Sequence, residues 1–478
     1  MVTGGRPLNG SVKIPAAKNS VLPLFAASLL CTGEVRLQAV PRLADVEHCM
    51  ALLRGVGCSA RWEGSDAVLS GPPANSTLPG QTAGQMRASI LFCAPLLARL
   101  GRAETSLPGG CRIGARPIDL HLAGLAKMGA VELEAGEGRL GLTAPSGLHG
   151  AEITLRFPSV GATETLLLAA ACARGRTILR GAAREPEIAD LAAFLNRCGG
   201  CIEGAGSSTI RIEGRRGLSG CCFSPLPDRI FASTLACGCA AAGGRVELTG
   251  CAPALYAPVL EILGQMGCRV EPAGDTVRIS RFGRLHGAGR VFTGAYPALA
   301  TDAAPLLAAA MLCADSESSI EDVIFERRFG CAEGFCRLGA QAETAGRVLT
   351  IAPGGLLRGT VVEAPDLRGG AALVLAGLAA RGTTVIIHPA HIDRGYAGFT
   401  EILAGLGAQI RRESAPGNGS AKKTSAKNKF VLQSGQKDDT IQLYKYSIEL
   451  FLCEKRRFTI TYPMEDKSYG THARRRNG

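Results

Sequence analysis

The chain is poor in aromatic residues. Phe, Trp and Tyr make up only 5% of its 478 residues, with a single Trp, while hydrophobic residues reach 46%. A core of this size built mainly from Ala, Leu and Gly suits many small helices packed on sheets more than an all-β sandwich, which favours a layered α/β architecture. By length the chain has room for about three domains. No uninterrupted apolar run approaches the roughly 18 residues of a membrane span. The opening MVTGGRPLNGSVKIP carries no apolar core of a secretory signal, so the sequence reads as cytoplasmic with no membrane partner. There is neither a P-loop nor a dinucleotide glycine fingerprint. The seven histidines form no metal-ligand grouping, and His388 and His391 in HPAHID read as structural. No CxxC pair has a matching distant partner, which argues against structural zinc.

Cysteine, in contrast, is plentiful. The 18 cysteines are scattered, often inside apolar runs such as LACGCAAAGG, where a reduced thiol acts as a small hydrophobe. Charge is uneven. Residues 415–478 hold 13 Lys and Arg against 6 Asp and Glu, supplying +7 of the net +12. Any nucleic-acid contact is therefore a question for that tail alone.

One unit recurs six times. LLRGVGCSARWEG, LAKMGAVELEAG, FLNRCGGCIEGAG, EILGQMGCRVEPAG, FCRLGAQAETAG and LAGLGAQIRRE each join an apolar helical end to a glycine and a strand-like stretch. Their glycines, Gly57, Gly129, Gly199, Gly267, Gly339 and Gly407, are spaced by 72, 70, 68, 72 and 68 residues. Each stands where a helix must stop and the backbone must turn with positive φ. Between them lies a second element, an Ala- and Leu-rich helix running into a strand, as in LLLAAACARGRTILRG and ALVLAGLAARGTTVIIH. Helices apolar on nearly every face belong inside a ring of sheets. The prolines of PLPDRI, just past the third copy, predict a crossing between two groups of three units.

Three sets of residues carry chemistry. Cys111 lies in SLPGGCRIGARPIDLH, a glycine-flanked loop with Arg112 and Arg116 beside it, an environment that favours a thiolate or a readily exchanged proton. Basic residues stand in short polar breaks: Lys18 with Asn19, Arg87, Arg116, Arg328, Arg368 and Arg394, suited to converge on an anion. Carboxylates at Glu185, Glu187, Asp302, Asp366 and Asp393 are candidates for a general base or for pairing with those cations. Spacing alone does not choose among them.

AAKNS, MRAS, LPGGCRIGARPIDLH, FPSVGATE, AAREPEI, PDR, ATD, FERRF, DLRGGAALVLAG and HIDRGY, in this order, resemble the UDP-N-acetylglucosamine enolpyruvyl transferase (1-carboxyvinyltransferase) family from about Gly4 to Glu413. The resemblance implies an α/β fold, a two-lobed inside-out α/β barrel of six repeated units, three per lobe. It implies a discontinuous first lobe (1–17 and 227–413), a second lobe (18–226) carrying the cysteine loop (106–121), and a basic extension (414–478) without counterpart in the family. It also implies the first committed step of peptidoglycan synthesis, with phosphoenolpyruvate and UDP-N-acetylglucosamine as small-molecule partners and no metal or organic cofactor.

Carried over by position, Lys18, Asn19, Arg116, Arg328, Arg368 and Arg394 would hold phosphoenolpyruvate. Arg87, Arg116, Pro117, Ile118, Asp119, Leu120, Ser159, Val160, Gly161, Asp302 and Ile324 would hold the sugar nucleotide. Cys111 would donate a proton and Asp302 would act as general base. With cysteine rather than aspartate at 111, the resemblance predicts alkylation by the epoxide fosfomycin.

The chain departs from the family in reading LATDAAP where FPTDMQ is common and in placing Arg327 where asparagine is frequent. The tail opens on the polar linker APGNGSAKKTSAKNK, followed by strand-like IQLYKYSIELFL and RRFTITY. It is compatible with an appended module, a basic tail, or a reading-frame accident. Two other readings stand beside the leading one: transfer to another acceptor, such as shikimate phosphate, and a silent paralogue that senses the nucleotide sugar. The cysteine loop argues against the former, and retention of Cys111, Lys18, Asp302, Arg116 and Arg394 against the latter. The sequence sets no oligomeric state.

Overall fold

The computed structural model describes residues 1–107, 109 and 113–413; Cys111 and the 414–478 extension lie outside the described residues. All six repeat glycines adopt positive φ, between 93° and 101°. Each ends its helix with the same pair of hydrogen bonds. In the first copy the Gly57 N–H donates to the Arg54 carbonyl at 3.0 Å and the Cys58 N–H to the Leu53 carbonyl at 3.0 Å. In the last, Gly407 donates to Ala404 and Ala408 to Leu403, both at 2.9 Å. This is the Schellman closure, in which glycine's freedom at positive φ satisfies helix carbonyls that would otherwise be left open.

Each glycine launches a strand into a small sheet, and there are six sheets among the described residues, five of four strands and one of three. None closes on itself, so the barrel is a ring of units rather than a continuous ladder. The pattern is constant: an antiparallel pair, a hairpin in five sheets and Val2–Thr3 with Gln409–Ile410 in the sixth, is extended antiparallel by a third strand, which is flanked in parallel by a fourth. In the three-stranded sheet (Arg102–Ser106, Arg139–Thr143, Val131–Leu133), the fourth place is held by a single parallel bridge from Thr77 to Glu104.

The sheets surround two separate cores. One is built from residues between Val21 and Leu218. The other combines Val2, Leu8 and Ile14 with residues from Ile230 to Ala408. The N-terminal strands explain this discontinuity. Val2–Thr3 inserts between Thr383–Ile387 and Gln409–Ile410, and Leu8–Lys13 pairs in parallel with Gly244–Thr249. Cys222–Phe223 pairs with Val35–Leu37 in the other core. The chain thus passes between the cores twice, and the two passes are stitched together. Ala17 N–H donates to the Leu226 carbonyl and Asp228 N–H to that of Pro15, each at 2.8 Å.

At the centre of each core are three helices that bury mostly small, apolar side chains. Lys18–Ser28, Cys93–Leu100 and Val160–Ala171 fill one, and Arg229–Ala242, Ala304–Met311 and Leu367–Ala379 the other. Every residue of Ala304–Met311 is buried, as is every residue from Leu367 to Leu378. Such helices need no polar stripe because sheets cover them on all sides.

Candidate active site

The N-terminal ends of these central helices open on one cavity of about 720 Å³, lined from both cores. Lys18 and Asn19 begin one helix. Ser159 caps another, its hydroxyl accepting from Ala162 N–H at 3.4 Å, and Val160 and Gly161 follow it. Asp228 and Asp366 cap the helices that start with Arg229 and Leu367, each carboxylate accepting from two backbone N–H groups at 2.9–3.0 Å. Asp302 lies in the short turn Thr301–Ala303 before Ala304–Met311. Arg87 begins the 3₁₀ turn Arg87–Phe92 that leads into Cys93–Leu100. Converging helix N-termini add partial positive charge to that of the side chains, an arrangement suited to anionic ligands.

The cavity brings together Lys18, Asn19, Arg87, Arg116, Pro117, Asp119, Leu120, Ser159, Val160, Gly161, Asp302, Ile324, Arg328, Arg368 and Arg394. Ile118 is the exception: its side chain packs on the hydrophobic core instead of lining the cavity. Cys111 falls outside the described residues, but the loop beyond it meets the opposite side of the cavity, where the Ile113 carbonyl accepts from Arg327 N–H at 2.9 Å. Of the other carboxylates, Glu185, Glu187 and Asp366 line the cavity, whereas Asp393 pairs with Arg412 on the surface.

The cations are held in pairs by carboxylates. Asp302 bonds Arg328 and, at 3.1 Å, Arg368. Burial alone would raise the Asp302 carboxyl; Arg368 and Arg328 overcome this and hold it well below the usual carboxylate range. Asp45, which sequence reasoning missed, does the same for a second pair. Its carboxylate lies 2.7 Å from Lys18 Nζ and accepts from Arg394 Nε at 2.9 Å and Nη2 at 3.2 Å.

Other groups missed are Arg229, Glu164, His121 and Arg347, all in the lining. Arg229 makes a buried two-point pair with Glu187, at 2.9 and 3.3 Å, across the two cores. Glu164 is 6% exposed; burial, with Glu187 and Glu185 nearby, pushes its carboxyl well up and favours the protonated acid. His121 packs where a Cβ on Gly161 would stand 2.9 Å from its Nε2. Burial, then Arg87, pushes its pKa down to about 4, so it is neutral at physiological pH. Burial, then Arg116, also lowers Arg87, to about 10. Glu164 and Arg229 stood inside the motifs FPSVGATE and PDR, but nothing in their local spacing distinguished them from packing residues.

Among the described residues, no group of three or more His, Cys, Asp or Glu is placed to hold a metal ion, and no helix is long and apolar enough to cross a membrane. The described cysteines are free thiols.

A family model described as EPSP synthase (3-phosphoshikimate 1-carboxyvinyltransferase) matches residues 2–403. The UDP-N-acetylglucosamine 1-carboxyvinyltransferase of Finegoldia magna is 42% identical over 409 residues, covering 85% of this chain and 96% of that protein. The protein of the same name from Solidesulfovibrio magneticus is 44% identical over 417 residues, 86% and 99% of the two chains. The crystal structure of the enolpyruvyl transferase NikO from Streptomyces tendae has a TM-score of 0.77 at 26% identity, covering 87% of this chain and 98% of that one. EPSP synthase from Acinetobacter baumannii, with a TM-score of 0.67 at 20% identity over 86% and 99% of the chains, speaks for the fold alone. Since the model spans both cores and the relatives match along nearly their whole length, the chain belongs to the enolpyruvyl transferases, on the branch of the UDP-N-acetylglucosamine 1-carboxyvinyltransferases.

Proposed function

We propose that the chain transfers the enolpyruvyl group of phosphoenolpyruvate to the 3-hydroxyl of UDP-N-acetylglucosamine and releases phosphate. The observation that carries this reading is the pairing of four cations around two aspartates in one cavity, Lys18 and Arg394 on Asp45, Arg328 and Arg368 on Asp302. Phosphoenolpyruvate presents two anionic groups, and two separated cation pairs match them. The relatives' name supplies the acceptor. Ser159, Val160 and Gly161 at a helix N-terminus, with Arg87 and Arg116, form the wall suited to its diphosphate.

The chemistry is addition followed by elimination. A proton adds to the methylene carbon of phosphoenolpyruvate, and C2 becomes electron-deficient. The sugar oxygen bonds to C2 as its own proton passes to Asp302, giving a tetrahedral ketal. A methyl proton then passes back to the group that supplied the first, the C2–O bond to phosphate breaks, and the double bond is restored. Guanidinium groups do not stabilise the cationic carbon. They bind carboxylate and phosphate, set C2 within reach, and stabilise the departing phosphate.

In the ligand-free cavity Asp302 is a weak base because two guanidiniums hold it. The anionic groups of phosphoenolpyruvate compete for those guanidiniums, so its binding raises the basicity of Asp302 at the moment it is needed. Cys111 acts as the proton donor on the loop that closes over the cavity, as the lobes 1–17 with 227–413 and 18–226 come together and exclude water.

The product feeds peptidoglycan synthesis, and through it cell shape and division. Both substrates are multiply charged phosphates that do not cross a membrane unaided, which places the reaction in the cytoplasm. Cys111 makes the enzyme a target for fosfomycin.

The test is phosphate release from phosphoenolpyruvate with and without UDP-N-acetylglucosamine, for the native chain and Cys111→Ala. Release that requires the sugar nucleotide and collapses in the variant supports the reading. No release from folded native protein overturns it, and release with shikimate 3-phosphate instead reassigns the acceptor.

A further inference from the structure

Three carboxylates, Glu164, Glu185 and Glu187, share one wall of the cavity with Arg229. Glu187 engages Arg229 with both oxygens, at 2.9 and 3.3 Å. Glu185 accepts from Tyr296 N–H at 3.5 Å with one oxygen, and its Oε2 is buried without a hydrogen-bond partner among the described residues. Glu164 is left over. It is 6% exposed, its carboxyl makes no hydrogen bond or ion pair among the described residues, and it lines the cavity. The addition and elimination steps use none of these three acids.

Glu164 lies on Val160–Ala171, three residues beyond Gly161 and so on the same helix face, a turn deeper than the end suited to the diphosphate. The Thr163 hydroxyl accepts from Ala183 N–H at 3.0 Å, which ties this turn to the segment carrying Glu185 and Glu187. Arg229 also feels the charge of Asp302, so the wall runs from the helix end toward the predicted base. A carboxyl buried this far costs free energy until a partner reaches it. An anion there meets the charge of Glu185 and Glu187, and an apolar group leaves the carboxyl unpaired. Among the described residues no three ligands are placed for a metal ion. A neutral group that both donates and accepts, a hydroxyl or an amide, is the complement.

We propose that Glu164 is a specificity residue for the acceptor: the sugar of UDP-N-acetylglucosamine lies against this wall, and one of its hydroxyl or acetamide groups shares a hydrogen bond with the Glu164 carboxyl. Glu185 and Glu187 turn anionic groups away from the same wall, toward the cation pairs on Asp45 and Asp302. The proposal rests on reading the cavity as the transfer site. A nucleotide sugar with its diphosphate at Ser159, Val160 and Gly161 and its 3-hydroxyl at Asp302 carries its sugar between those points, which is where Glu164 stands.

Calorimetry on the full chain compares UDP-N-acetylglucosamine, UDP-glucose and UDP. Glu164→Met keeps the length of the side chain without its hydrogen bonds, and is expected to bind UDP-N-acetylglucosamine about five- to tenfold more weakly than the native chain while UDP stays within about twofold. The thermal midpoint is not lowered, because an unpaired buried acid has been removed. Glu164→Leu repeats the comparison with a different shape. Glu164→Gln, which still donates and accepts, stays within about threefold of native. Weaker UDP-glucose binding as well assigns the contact to a hydroxyl, and weakening of UDP-N-acetylglucosamine alone assigns it to the acetamide. Binding of UDP-N-acetylglucosamine by Glu164→Met and Glu164→Leu within about twofold of native, or an equal loss for UDP, overturns the proposal, as does a native chain that binds no UDP-N-acetylglucosamine. Phosphate release is measured on the same samples. Its absence from a native chain that binds the sugar nucleotide refutes the transferase reading, while the binding comparison still decides the contact.

Discussion

Asp45 and Arg394 join the two cores through a two-point ion pair, Nε and Nη2 on the two carboxylate oxygens at 2.9 and 3.2 Å, with Lys18 closing the triad at 2.7 Å. The Asp45 side chain is 3% exposed, so its charge depends on both cations. Replacing it by Asn leaves two cations facing each other without a counter-charge. Asp45→Asn is expected to lose about 3 kcal/mol of stability by urea unfolding, the usual scale for breaking a buried pair. Burial alone would raise the Asp45 carboxyl, but Lys18 and Arg394 lower it below its ordinary value. Its contribution is therefore present above about pH 4 and lost as pH falls through the lowered folded value. The native chain should show this acid loss and Asp45→Asn should lack that component. Parallel acid profiles would remove Asp45 from the account.

Asp302 is held by the guanidiniums of Arg328 and Arg368. Asp302→Asn keeps the shape and removes the base. The expected outcome is a loss of about 10²- to 10⁴-fold in kcat, with UDP-N-acetylglucosamine binding by calorimetry within about threefold of native. A loss of sugar-nucleotide binding as large as the loss of rate would make holding the ligand the whole of the Asp302 role and leave the base unassigned.

The two aspartates mark what the sequence discloses and what it withholds. Asp302 stood in ATD among residues that match a family in order, so it was found. Asp45 stands in ADVEHC, an acid in the first turn of the helix Ala44–Gly55, which is where any helix places an acid to suit its dipole. Its function comes from Arg394, 349 residues away, and no local pattern carries that. The six-unit fold was legible for the opposite reason: helix closure at glycine is settled within six residues, and repetition makes it visible. A run of residues in a motif also hides the direction of each side chain: Arg116, Pro117, Asp119 and Leu120 line the cavity, while the Ile118 side chain between them packs on the core.

The repeat glycines allow the backbone cost to be separated from packing. A Cβ on Gly199 meets nothing within 4 Å, whereas one on Gly339 would stand 2.7 Å from the Leu356 carbonyl. Both have nearly the same φ, 95° and 97°. Gly199→Ala should therefore cost only the positive-φ strain, about 1–2 kcal/mol, and Gly339→Ala at least about 1 kcal/mol more from overlap. Equal urea midpoints for the two variants would contradict this ordering.

Cysteine labelling tests whether the thiols serve as packing. Cys222 and Cys336 are exposed, while Cys237 and Cys331 are buried among apolar side chains, and burial pushes the Cys93 thiol up to about 12. The thiolate is the nucleophile, so both access and ionisation oppose alkylation of the buried group. Cys198 and Cys221 lie with their sulfurs 3.3 Å apart. Burial first, then the Cys198 thiol, raises Cys221 to about 12, and a raised thiol attacks slowly even when partly accessible. With iodoacetamide at neutral pH, among these six described cysteines Cys222 and Cys336 should label first, Cys221 much later, and Cys93, Cys237 and Cys331 only on unfolding, read peptide by peptide by mass spectrometry. The peptide from Gly217 to Arg229 carries both Cys221 and Cys222, so fragmentation within it gives the deciding comparison. Modification of Cys221 before Cys222 would make the Cys198 and Cys221 pair a reactive site and end its reading as packing.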